Sequence, residues 1–253
     1  MKRNVFALLV LFLSVFSTKS FAAHPLITDD TSTMGKGKAQ IELNAEYGRE
    51  DEDGTVTSTS EFATALTYGI TDNIDIVLNV PYKLIRTKTS ETTTGEDGVS
   101  DASIDLKWKF YEKGGLSFAL KPGFTLPTGD KKRGLGSGRT KYNLFFITTK
   151  EIKPWAFHLN LGYKRNENKA NERMDIWHAS FASEVEVVKD LKLVGNIGIE
   201  RNANKSSNIN PAFILGGLIY SISENVDIDF GIKGGLNKPE TDYTVLTGIV
   251  FRF

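Results

Sequence analysis

From Lys38 to the last residue the chain keeps repeating one pattern, in which apolar and polar residues alternate. Ala39, Ile41, Leu43, Ala45 and Tyr47 alternate with Gln40, Glu42, Asn44 and Glu46. Ile104, Leu106, Trp108 and Phe110 alternate with Ser103, Asp105, Lys107 and Lys109. Val226, Ile228, Phe230 and Ile232 alternate with Asp227, Asp229 and Lys233. A period of two puts the two sets on opposite faces of an extended strand. Twelve segments read this way: 38–48, 58–70, 74–86, 101–111, 116–127, 141–150, 155–165, 175–187, 191–201, 211–222, 226–236 and 242–253. The sixth and tenth are apolar on both faces, so the alternation assigns them least firmly.

The links between segments alternate too. They are short after even-numbered segments, as in Thr71-Asp72-Asn73 and Ser223-Glu224-Asn225. After most odd-numbered segments they are longer and more polar: Arg49–Thr57, Thr87–Ser100, Thr128–Thr140, Asn166–Met174 and Asn202–Asn210. An even number of strands, with short turns at one end and long loops at the other, describes an outer-membrane barrel with both termini on the periplasmic side. A soluble β-sandwich also alternates, and the aromatic residues separate the two cases. Tracing the chain up and down places Tyr47, Tyr82, Phe124, Tyr142, Tyr163, Trp177 and Tyr243 near the outer end. Tyr68, Trp108, Phe110, Phe118, Trp155, Phe157, Tyr220, Phe251 and Phe253 fall near the periplasmic end. All share the parity of the apolar face, and two aromatic levels mark the two interfaces of a bilayer. The polar face then lines the lumen. The expected fold is all-β: a transmembrane, up-and-down antiparallel β-barrel of about twelve strands.

The ends of the chain agree with this reading. Lys2 and Arg3 precede an apolar run, Val5–Phe16, and Ser20-Phe21-Ala22 supplies small residues for cleavage. That is a signal peptide over residues 1–22, too short to span a bilayer. Residues 23–37 form a periplasmic lead-in or plug, and 38–253 the barrel. The chain closes on an alternating strand ending in Phe253, which resembles the signal read by the barrel-assembly machinery of Gram-negative bacteria. Charge is balanced, with 31 Lys and Arg against 31 Asp and Glu, which argues against a nucleic-acid partner. With no Cys and three His, disulfide scaffolds, thiolate sites and multi-His metal centres drop out. No cofactor and no metal site are expected.

Several stretches together resemble the outer-membrane transporter family named for the meta-pathway of phenol degradation. They are His24-Pro25-Leu26-Ile27-Thr28-Asp29-Asp30 with Gly35-Lys36-Gly37, then Gly69–Tyr82, Gly98–Phe110, Lys121–Thr140, Leu215–Asn225 and Thr247–Phe253. The resemblance covers nearly the whole mature chain and rests on turn and strand patterns. It implies a channel or transporter, not an enzyme, for small organic, often aromatic or hydrophobic, molecules. A structural or adhesive barrel and a lipid-modifying hydrolase are the alternatives.

Lumen parity and mid-barrel position single out Asp75, Asp105, Lys107, Lys121, His158, Asn196 and Asp229 as pore-lining or solute-binding candidates. The same charges could instead form ion pairs that fill a narrow barrel, and twelve strands lie between filled and open sizes. His24, Asp29 and Asp30 are the plug candidates, with the two Asp near lumen lysines; the alternative is a disordered lead-in. His158 and His178 with Ser180 and Glu184 invite a hydrolase reading, but a nucleophilic Ser needs an oriented base and no sequence signature accompanies these residues. Gly134–Thr140 imitates a phosphate loop but leads into a strand rather than a helix. It reads as a flexible outer loop whose Lys131, Lys132, Arg133 and Arg139 touch lipopolysaccharide phosphates. Asp51-Glu52-Asp53-Gly54 and Glu96-Asp97-Gly98 lack calcium-loop spacing and read as solvated turns. The expected partners are outer-membrane lipid and lipopolysaccharide, the assembly machinery and a small organic solute. The expected location is the outer membrane of a Gram-negative bacterium.

Overall fold

The computed structural model describes residues 24–253, so the expected signal peptide lies outside the described residues. Thirteen strands follow one another: β1 (Ala39–Glu52), β2 (Thr55–Thr71), β3 (Ile74–Lys88), β4 (Thr93–Val99), β5 (Ser103–Lys113), β6 (Leu116–Thr125), β7 (Lys141–Ile152), β8 (Trp155–Arg165), β9 (Asp175–Val188), β10 (Leu191–Glu200), β11 (Ala212–Ser223), β12 (Val226–Gly235) and β13 (Tyr243–Arg252). Twelve form a closed antiparallel ring in which sequence neighbours pair and β13 returns to β1. Closure leaves the twelve-strand ring without an open edge, as a bilayer requires. The extra strand, β4, pairs with the upper half of β3, while β5 pairs with the lower half.

The twelve expected segments are the twelve strands of the ring, and the loops at one end needed correction. The expected loop over Arg49–Thr57 is strand almost throughout. β1 and β2 pair up to Glu52 and Thr55, joined by Asp53-Gly54 with φ of 48° and 80°. Asp-Gly suits a two-residue turn that demands positive φ at both positions, and this outweighs the polarity that read as loop. Within the expected loop Thr87–Ser100, residues Thr93–Val99 form β4. The five turns at the other end are each two residues long, such as Gly114-Gly115 and Glu224-Asn225.

The outer wall is apolar and exposed, with Tyr47, Tyr82, Tyr163, Trp177 and Tyr243 at its upper level and Tyr68, Trp108, Trp155 and Tyr220 at its lower level. Burial on this scale belongs to lipid, and the protein's own packing lies inside the ring. There Ile147, Leu215, Leu246 and Val250 are buried together with Asp75, His158, Glu184, Asn196 and Asp229. Strands β7 and β11, apolar on both faces, send Phe145 and Phe213 into the lumen. Each ring lies over a glycine of a neighbouring strand, Gly162 and Gly198 respectively.

The loop expected to be flexible is tightly built. Asp101 accepts from Gly129 N–H (3.0 Å), Ser137 N–H (2.7 Å) and Ser137 Oγ (2.7 Å). Ser100 Oγ donates to Leu135 O, and the Leu135 side chain is buried. A single 3-10 turn over Lys131–Arg133 is capped by Asp130. Arg133 is engaged by Glu96 at 2.6 Å and lies 3.8 Å from Asp97.

Candidate functional site

The lumen is occupied at its periplasmic half by the chain's own N-terminal segment. His24 lies near mid-barrel, and the backbone leaves at the rim, where Gly37 N–H donates to Gly69 O. Side chains of the wall hold this segment along its length. His24 Nδ1 is 2.6 Å from Asp229 Oδ1. Asn196 Oδ1 accepts from the amides of Ile27 (2.8 Å) and Thr28 (3.1 Å), while its Nδ2 donates to Thr28 Oγ1 (2.7 Å). Lys107 and Lys121 each donate to one oxygen of Asp29 at 2.8 Å, and Lys107 also reaches Asp30 (3.5 Å) and Ser32 O (3.3 Å). Thr31 N–H donates to Thr149 Oγ1 at 3.1 Å, and Met34 N–H to Asp75 Oδ2 at 2.9 Å.

A segment without regular structure has backbone groups that a dry barrel must satisfy, and this explains why the wall opposite it is polar. Shape matters as well as polarity. A Cβ on Gly231 would stand 2.7 Å from Pro25, and one on Gly217 2.9 Å from it. At Gly248 a Cβ would meet Asp229 at 2.6 Å and His24 at 3.0 Å. These glycines hollow the wall to seat His24-Pro25. Leu26 packs on Phe213, Leu215 and Leu246, the apolar patch of the lumen.

Charge reinforces the seat. Burial opposes ionisation of Asp29, but the two ammonium groups beside it outweigh burial and hold its carboxyl well below the usual range. Burial likewise disfavours the charged form of His24. The hydrogen bond to Asp229 and the Glu46 carboxylate 3.7 Å away outweigh it, and the pKa is pushed up to about 9.

The structure thus brings Asp75, Lys107, Lys121, Asn196 and Asp229 together around one ligand, the N-terminal segment that carries His24, Asp29 and Asp30. His158 stands one step back: its Nδ1 is 2.9 Å from Thr149 Oγ1, and its Nε2 is 3.4 Å from Glu184. Asp105 is apart and accepts from Asn143 at 2.8 Å. Sequence reading missed Thr149, Ser117 and Asn160. Ser117 Oγ lies 2.5 Å from Thr31 Oγ1. Asn160, turned so that both ends of its carboxamide are satisfied, accepts from Asp29 N–H (2.7 Å) and donates to Asp29 O (2.9 Å). Their lumen parity was visible, but nothing in the sequence set these three apart from the other polar lumen residues. Above the segment lies a polar cavity of about 340 Å³, lined by Glu46, Glu50, Glu61, Lys83, Lys233 and threonines.

One family model, described as "Putative MetA-pathway of phenol degradation", matches residues 22–253. The chain belongs to this family. Among curated proteins none matches the sequence. Solved structures share the fold at low identity. The COG4313 outer membrane channel from Pseudomonas putida F1 is similar at a TM-score of 0.70 and 13% identity, over 88% of this chain and 98% of that one. The translocator domain of autotransporter NalP from Neisseria meningitidis follows at 0.55 and 11%, over 87% and 89%. The KdgM porin is similar at 0.54 and 10%, over 85% and 99%. The fold is the closed barrel of the Gram-negative outer membrane.

In this phenol-degradation family barrel, His178 and Ser180 do meet. His178 Nε2 is 3.0 Å from Ser180 Oγ and its Nδ1 is 3.1 Å from Glu200. The third member is therefore Glu200, not the Glu184 that sequence spacing offered. Hydrolysis also needs donors aimed at a developing oxyanion. The backbone amides around Ser180 lie within continuous β8–β9–β10 pairing and are committed to the ladder. Glu200 is shared with Lys164 as well as His178. The arrangement is a polar network of the upper lumen that ties β8, β9 and β10 together.

Proposed function

We propose that the chain is a gradient-driven outer-membrane channel for small organic molecules, and that its N-terminal segment is the gate. The observation that carries this is the seating of Pro25–Met34 inside the barrel through side chains that a solute would otherwise meet. The neighbouring solved channel and porin, and the family itself, support a transport role over an enzymatic one.

The gate also indicates the solute. Leu26 covers the Phe213, Leu215 and Leu246 patch, and Asp29 reaches Lys107 and Lys121. Three residues span at most about 10 Å, so an apolar patch and a cationic pair lie within one small molecule's length. A compound with an aromatic or aliphatic body and one anionic group copies both contacts and competes with the segment. The polar cavity above is its entry from outside. Phe253 is 71% exposed at the periplasmic rim, which supports its reading as the signal for the assembly machinery.

Planar-bilayer recordings of the refolded mature protein, with and without residues 24–34, test this reading. The truncated barrel conducts steadily, and a small aromatic acid such as benzoate reduces its current. The full-length barrel conducts only in brief flickers. Equal currents from both forms would overturn the gate, and a current indifferent to benzoate would overturn the solute class.

A further inference from the structure

The outer wall carries a second cluster of polar groups, whose reading does not depend on whether the lumen conducts. On β1, β2 and β3 the residues Arg49, Ser58 and Arg86 are successive register partners, so their side chains share the outward face. Adjacent strands lie about 4.8 Å apart, which puts the two arginine backbones about 10 Å apart with Ser58 between them. Directly below are Tyr47, Ser60 and Leu84, at the aromatic level that marks the lipid interface. Tyr47 points its hydroxyl upward and donates to Ser58 Oγ at 3.3 Å. One step above Arg86 on the same face is Lys88. Together these residues line an open groove of about 780 Å³, closed at the top by Thr89, Ser90 and Thr93.

Two other arginines near the upper rim, Arg165 and Arg133, are neutralised within the protein. Arg165 binds Glu167 and Asp175, each at 2.8 Å, and Arg133 binds Glu96. Arg86 and Lys88, by contrast, have no ion-pair partner among the described residues, and Arg49 has only a 4.0 Å approach to the exposed Asp51. A cation facing hydrocarbon is costly, whereas a cation just above the aromatic belt meets the polar layer of the leaflet. Two guanidinium forks flanking a hydroxyl match a phosphate group. The apolar wall below, with Leu84, Phe62 and Tyr82, continues down to where acyl chains lie.

We propose that this groove binds a phosphorylated glycolipid of the outer leaflet, with Arg49, Ser58 and Arg86 on the phosphate and Lys88 above it. The built loop over Lys131–Arg139, where sequence alone placed such contacts, gives Arg133 to Glu96 and is the weaker candidate.

The test is native mass spectrometry of the refolded mature barrel in phosphocholine micelles, titrated with bis-phosphorylated lipid A. The wild type retains one lipid per barrel. Arg49→Ala with Arg86→Ala weakens retention about tenfold or more, the size expected for losing charged hydrogen bonds. Arg165→Ala, elsewhere on the rim, retains lipid as the wild type does. Dephosphorylated lipid A binds the wild type no better than bis-phosphorylated lipid A binds the double variant. Heat-modifiable gel mobility confirms folding. If the double variant does not fold, Arg86→Gln, a change to one exposed side chain, is expected to weaken retention measurably on its own. Unchanged retention in a folded variant overturns the proposal. So does equal binding of the dephosphorylated lipid, or displacement of the lipid by millimolar inorganic phosphate.

Discussion

Asp29 is the side chain on which the seating of the N-terminal segment turns, because it is mostly buried and each of its oxygens has its own lysine. Removing one partner of a buried pair typically costs ~3–5 kcal/mol because it strands the other charge. Here one lysine remains and Asp29 is a fifth exposed, so about 1–2 kcal/mol per lysine is the expected loss. Since ~1.4 kcal/mol is tenfold in population, Lys107→Ala with Lys121→Ala should raise the open fraction about tenfold or more. It should also shift the selectivity of the open channel away from anions, read as a change in reversal potential under a salt gradient. His24 adds a pH dependence. Its pKa is raised from 6.5 to about 9 when seated, so seating is fully favoured below 6.5 and this contribution is lost as pH rises through about 9. Single-channel opening should increase across that window in the wild type and be flat in His24→Ala.

At the scale of elements, the strands were legible because period-two alternation leaves few choices, and the ring contains the twelve segments it marks. What sequence could not show was why β7 and β11 are apolar on both faces. One face meets lipid, and the other includes side chains that pack inside the lumen, as Phe213 and Leu215 do against Leu26. The glycines of β11, β12 and β13 were equally opaque, because a missing Cβ has meaning only once Pro25 lies opposite it. Gly231→Leu should therefore expel His24-Pro25 while leaving the ring intact, giving raised conductance with unchanged heat-modifiable mobility. At the outer end, polarity was mistaken for looseness. Asp101 fastens a loop that composition described as flexible, and Asp-Gly turned an expected loop into a hairpin. Asp101→Ala should free Gly129–Ser137 and make the loop a site of rapid proteolysis in intact cells, where the wild type resists.

At the scale of the whole molecule, twelve strands make a barrel neither filled by its own wall nor open through it. The N-terminal segment fills that difference at the periplasmic half and leaves a polar cavity at the outer half. The candidate residues were picked by parity and depth, and Asp75, Lys107, Lys121, Asn196 and Asp229 among them face the N-terminal segment. That they converge on one segment of the same chain was invisible, since contacts such as His24 with Asp229 join residues more than two hundred positions apart. The chain contains no Cys, so a single engineered pair can lock the segment without side reactions. Thr31 and Ser117 have hydroxyls 2.5 Å apart, and Thr31→Cys with Ser117→Cys places a thiol on each side of that contact. The decisive measurement is the bilayer current of this one protein, oxidised and then reduced in the same recording. A silent barrel that begins to conduct on adding reductant is the predicted result. The same current before and after reduction, with the disulfide confirmed formed and then broken, would contradict the account.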